Sequence, residues 1–203
     1  HGLIELYQSD FNPEWIKWAL SLQSVQDELF WDEKGDAYFL DDARDSTLIF
    51  RPKDFEDMAL PSGNSVSALN LLRLADFARD EKFRGRAIRL VRASSRFLSR
   101  SPSACPQMVI ALDYALDRSK EIAIAGNPGE PKTAAMLSSL RKAFLPNKVV
   151  AVADAPAIPL LDGKSRLNDS PTAYVCDRGA CKLPTADPAE LVAQASTFRI
   201  LQW

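Results

Sequence analysis

Two apolar runs constrain this chain most. KEIAIAG (120–126) and NKVVAVAD (147–154) flank a helical stretch, EPKTAAMLSSLRKAFLP. Strand, helix, strand in that order reads as one βαβ unit with a parallel pair, because parallel strands need a crossover connection. PTAYVCD (171–177) is a third strand candidate, so strands are expected at 121–125, 148–152 and 172–176. DPAELVAQAS reads as a last short helix, with Asp187 as cap and Pro188 in its first position. Residues 153–171 carry four prolines or glycines and read as loop.

Before residue 119 the texture is helical. NPEWIKWALSLQSVQDELFWD has Asn12 as N-cap and Pro13 at its first position, with apolar residues at helical spacing. Ser62 to Ala78 is a second helix, with Val66, Leu69, Leu72 and Leu74 on its apolar side. DEKFRGRAIRLVRASSRFLSR reads as a third. Its basic side (Lys82, Arg86, Arg89, Arg96, Arg100) is a solvated outer face or, alternatively, an anion or partner surface. CPQMVIALDYAL is apolar nearly all round and is expected to be an inner helix. AYFL and TLIF flank a polar loop and suggest a small hairpin. The opening HGLIELYQ is already at helical spacing, with Leu3, Leu6 and Tyr7 expected on one face. This reads as a chain that begins inside a helix, as a fragment of a longer protein would. The expected class is α+β, divided into helical hairpins over 1–118 and a small α/β region over 119–203.

Composition narrows the function classes. With 203 residues, 46% hydrophobic and 26% charged, the chain can bury a core. A net charge of −2 gives no electrostatic case for nucleic acid or an acidic membrane. No apolar run approaches a membrane span of about 18 residues. There is no signal-peptide pattern, and the expected location is cytoplasmic. His1 is the one histidine, and Cys105, Cys176 and Cys181 are the three cysteines, so neither a metal site nor a cofactor is expected.

Four stretches carry a resemblance: LFWDEKGDAYF, DMALPSGNSVSALNLLRLA, CPQMVIALDYAL and PTAYVCDRGACKLPTADPAEL. Together they resemble the C-terminal third of the thioredoxin-domain-containing proteins of the spermatogenesis-associated type. The resemblance implies a helical part that belongs to an α/α toroid, similar to N-acylglucosamine 2-epimerases and six-hairpin glycosidases. It also implies a thioredoxin-like domain outside these residues. A sugar is the implied small-molecule partner. The missing N-terminal part, or a self-association surface, is expected to cover apolar faces left bare.

In such a toroid the stretch RPKDFEDMALPSGNS enters an inner helix. Pro61 fixes φ, Gly63 permits close backbone approach, and Ser62, Asn64 and Ser65 can cap the helix start. Arg51 and Asp57 are matched family positions. With Ser62 and Asn64 they form the candidate ligand-binding set, able to meet sugar hydroxyls; the alternative is that they hold the loop together. Histidine-based epimerisation cannot be assembled from this chain, and Glu56 and Asp57 are adjacent, unlike a glycosidase pair. No turnover is therefore expected of this stretch alone. For the full-length protein the resemblance implies carbohydrate binding or a sugar-epimerase-like function; a non-catalytic scaffold or partner-binding module attached to a redox domain is the alternative. Cys176 and Cys181 are the redox candidates, with ordinary packing as the simpler reading and metal ligation as a third; DRGA between them suits a hairpin turn that puts the sulfurs on facing strands. Cys105 is expected to be packed. Trp15, Trp18, Phe30 and Trp31 read as a sugar-stacking surface or, more simply, as core.

Overall fold

The computed structural model describes residues 1–44, 46–117 and 119–197. Among them are eight α-helices and a small mixed sheet, so the fold is α+β with a helix-rich part. The chain forms two compact units. One takes Lys17–Ala75 and Asp80–Ala115; the other takes Gly2–Ile16, Asp76–Arg79 and the chain from Leu116 onward. The second unit thus includes the N-terminal helix as well as the α/β region.

The first unit holds most of α2 (Glu14–Phe30), β1 (Trp31–Asp32), β2 (Ala37–Tyr38), most of α3 (Gly63–Ala78), α4 (Glu81–Ala93), α5 (Ser95–Arg100) and most of α6 (Pro106–Leu116). Its core joins Leu69 and Leu72 of α3, Leu90 of α4, Met108 of α6 and Tyr38 of β2. Helix α3 is buried nearly all round, including Ser65, Ser67 and Arg73. It is therefore the inner helix of this set. α6 is not: Val109 and Ile110 lie on an exposed side while Met108, Ala111 and Tyr114 face inward. α6 is the less enclosed although its sequence carries fewer polar residues.

Two further expectations are corrected. The hairpin pairs Trp31 with Tyr38 and Asp32 with Ala37, not AYFL with TLIF. Leu48, Ile49 and Phe50 lie exposed in the loop. A four-residue turn at 33–36, ending in Asp36 at φ 52°, closes the nearer pair at lower loop entropy. The basic third helix is two helices. Ser94 lies between them, its hydroxyl donating to the Val91 carbonyl (2.7 Å) and competing with the helical ladder.

The second unit is built on the βαβ unit β3 (Lys120–Ala125), α7 (Pro131–Lys142) and β4 (Lys148–Ala153), with β3 and β4 parallel. β5 (Thr172–Asp177) adds antiparallel on the other side of β3, and β6 (Ala180–Cys181) follows, giving the order β4-β3-β5-β6. Every residue of β3 is buried, as a central strand requires. α8 (Pro188–Ala195) begins as expected: the Asp187 carboxylate accepts from the Ala189 N–H at 3.0 Å. α1 (Gly2–Asp10) buries Ile4 and Tyr7 and leaves Leu6 exposed, so its inner face is turned from the one expected. Tyr7 packs edge-on against Phe77, and Gln8 accepts from the Val150 N–H of edge strand β4. Burial pushes the Tyr7 phenol up from its ordinary value.

Candidate functional site

The PSGNS turn at the mouth of α3 is a hub of main-chain hydrogen bonds. The Ser62 hydroxyl accepts from the Ser65 N–H (3.0 Å) and shares a bond with the Ser65 hydroxyl (2.8 Å), an N-cap arrangement. The Asp57 carboxylate accepts from the Ser62 N–H (2.8 Å) with one oxygen. With the other it accepts from the Gln107 N–H (2.7 Å) in the first turn of α6. One negative charge therefore serves two helix N-termini, where the dipole favours it. The Asn64 amide accepts from the Tyr38 N–H (2.7 Å) and donates to the carbonyls of Tyr38 (3.0 Å) and Asp54 (2.8 Å). Asn64 is 1% exposed. A Cβ on Gly63 would meet nothing within 4 Å, so close backbone approach is not its role.

Arg51 lies in a different part of the same loop system. Its guanidinium donates to the Asp41 carboxylate (2.9 Å), the Asp41 carbonyl and the Leu29 carbonyl (3.4 Å), and sits 4.0 Å over the Phe39 ring. Lys53 shares that ring at 4.7 Å and pairs with Asp32. Ser62, Asn64 and Asp57 are thus brought together around α3, while Arg51 closes the 39–51 loop. Cys105, in the link before α6, is buried as expected. Burial raises its thiol, and the carboxylates of Asp57, Glu56 and Asp54 add to the effect.

Two arginines on the basic side of α4 are paired rather than merely solvated. Arg86 meets Asp27 of α2, and Arg89 meets Glu33 (2.8 Å) and Asp36 (2.6 Å) of the hairpin. Both guanidiniums lie over Trp31, at 5.0 and 5.3 Å. Behind them the Tyr38 hydroxyl donates to Asp27, and the Gln23 amide donates to the same carboxylate oxygen (2.9 Å). Burial, then the Asp27 hydrogen bond and charge, push the Tyr38 phenol up. Sequence reading missed this cluster because its partners come from α2, the hairpin and α4. The one local signal was the repeated arginine. Of the other candidate stacking residues, Trp15 donates to Asp10 (3.0 Å) and Trp18 is exposed.

Cys176 and Cys181 face each other across β5 and β6 and form a disulfide. Cys176 is 1% exposed, and Cys181 lies on the exposed end of the hairpin. The Lys164 ammonium is 3.1 Å from the Cys181 sulfur and 4.9 Å over the Tyr174 ring. The Tyr174 hydroxyl donates to the Ser165 carbonyl (2.7 Å), which fixes the loop carrying Lys164. Burial, and next the nearby Arg79 charge, lower the Lys164 ammonium from its ordinary value, with Glu121 acting the other way.

Among the described residues no group of three or more His, Cys, Asp or Glu side chains could hold a metal ion. Nor is any helix among them long and apolar enough to cross a membrane.

Comparison with known proteins gives a consistent set of relatives. The chain is similar to human spermatogenesis-associated protein 20, 40% identical over 198 residues and 94% of this chain. The rat protein of the same name is 39% identical over the same length. An uncharacterized protein of Caenorhabditis elegans is 29% identical over 194 residues. This chain spans about a quarter of the length of these curated relatives. No family model matches it.

Proposed function

We propose that this chain is a scaffold portion of a longer protein of the spermatogenesis-associated protein 20 kind, without an acid–base site of its own. Its helical part would belong to an α/α toroid completed by the rest of that longer protein, alongside a thioredoxin-like domain. One observation carries the reading: Asp57, Ser62 and Asn64 already hold main-chain groups, and Arg51 holds Asp41 and two carbonyls. A sugar-binding site in an inner-helix mouth needs polar atoms free for hydroxyls. Engaging these residues would first break bonds that position α3, α6 and β2.

Thermal melts of the chain with a panel of monosaccharides, N-acylated ones included, test this. A ligand at about 100 times its Kd adds about 2.7 kcal/mol to stability, which raises the Tm by several degrees. The scaffold reading expects no shift with any sugar. A saturable shift with any one sugar would establish the carbohydrate reading instead.

A further inference from the structure

We infer that Cys176 and Cys181 form an exchangeable disulfide, with the exposed Cys181 sulfur as its reactive end and Lys164 stabilising the Cys181 thiolate. Three observations combine. The first concerns what the bond holds. The turn between β5 and β6 is Arg178-Gly179, both at positive φ (48° and 82°), a backbone that suits a two-residue hairpin on its own. The disulfide spans a sequence separation of 5 inside this hairpin. A cross-link constrains the unfolded chain more as its loop lengthens, so a bond placed here adds little to a loop the strands already close.

The second observation is asymmetry. Cys176 lies in the core side of β5, whereas Cys181 is exposed on the edge strand. Thiol–disulfide exchange requires an attacking thiolate to reach one sulfur, and here access favours Cys181. The third is Lys164. An ammonium within 3.1 Å of a disulfide sulfur has no charge to balance. Beside a thiolate it does, and a neighbouring cation lowers a thiol's pKa. Tyr174 holds the Lys164 loop through Ser165, so the cation is positioned on the β5 side of the hairpin.

The step balances with a dithiol as the partner. One thiolate of the partner attacks the Cys181 sulfur, forming a mixed disulfide and releasing Cys176 as a thiolate, which takes a proton. The partner's second thiol then attacks the mixed disulfide and frees the Cys181 thiolate beside Lys164. The protein disulfide gains two electrons and one proton, the proton that the partner's second thiol gives up and Cys176 takes, while Cys181 remains a thiolate and the partner becomes a disulfide. In reverse, the Cys181 thiolate attacks a partner disulfide and Cys176 resolves the mixed species. This inference is independent of the scaffold reading, since it concerns a different unit and different chemistry.

The test equilibrates the chain in buffers of reduced and oxidised dithiothreitol and of reduced and oxidised glutathione. Free thiols are trapped by alkylation and located by peptide mass spectrometry, with circular dichroism reporting the fold. The expected result is reversible interconversion of the pair with the fold retained, and faster alkylation of Cys181 than of Cys176 in the reduced chain. Lys164→Met should slow Cys181 alkylation about tenfold, the effect of roughly one pKa unit on the thiolate fraction, and Lys164→Arg should preserve the rate. Three results overturn the inference: a bond reduced only when the chain unfolds, two thiols that stay reduced in every oxidising buffer, or Cys181 reactivity unchanged in Lys164→Met.

Discussion

Asn64 and Gly63 are neighbours with opposite roles. The Asn64 amide offers an acceptor and two donor hydrogens in one plane, and meets both main-chain groups of Tyr38 much as a pairing strand would. Asn64→Ala withdraws that partner from buried groups and from the Asp54 carbonyl, and is expected to cost about 2–4 kcal/mol. Gly63→Ala places its Cβ in open space at the first helical position and should be neutral or stabilising by up to ~1 kcal/mol. Urea unfolding of the two variants checks both; equal effects would remove the distinction. The capping character of PSGNS was legible from its residue types, since Ser and Asn favour helix starts wherever they occur. The partners were not. Tyr38 lies 26 positions from Asn64, and Gln107 lies 50 from Asp57, and no local pattern encodes such pairings.

At the scale of elements, β1, β2 and α4 form one electrostatic assembly. Arg89 holds the Glu33 carboxyl below its ordinary value of 4.5. A carboxylate whose folded pKa is depressed contributes stability that is full above its unfolded pKa and is lost as pH falls through the folded one. Unfolding midpoints should therefore drop as pH falls from about 5 toward 3. Arg89→Gln should lower the midpoint near neutral pH and flatten that dependence. Glu33 is exposed, so salt should weaken the same contribution. A pH slope unchanged in Arg89→Gln would mean that this pair contributes nothing measurable. The elements legible in sequence were those with their own period: β3, α7 and β4 match the expected runs closely. TLIF has strand-like residues but lies outside the strands, whereas the 33–36 turn brings Trp31 to Tyr38. β-propensity describes fit to a half-buried surface, and cannot say whether that surface exists.

For the molecule as a whole, the most informative surface lies on α2. Trp18, Leu22 and Val25 follow one another at helical spacing and are 58%, 60% and 46% exposed. Residues four and three apart share a helix face, so these side chains form a continuous apolar stripe rather than scattered positions. The helix buries Ile16 and Gln23 instead, and its Gln23 is held by Asp27 and Tyr38. Turning the helix to hide the stripe would break those buried polar bonds, at a cost that the stripe's burial would have to exceed. Contiguous apolar stripes in water favour association. The 203-residue chain is therefore expected to self-associate with rising concentration, and the pair Trp18→Lys and Leu22→Glu is expected to restore a monomer. Both positions are exposed, so neither substitution opens a cavity, and the Tm should stay within a few degrees of the parent. Sedimentation velocity over a hundredfold concentration range reads the result. A parent chain that remains monomeric throughout would show that the stripe does not drive contact, and a double variant that associates as the parent does would move the contact to the apolar residues of α6, Val109 and Ile110, or of the 48–50 loop.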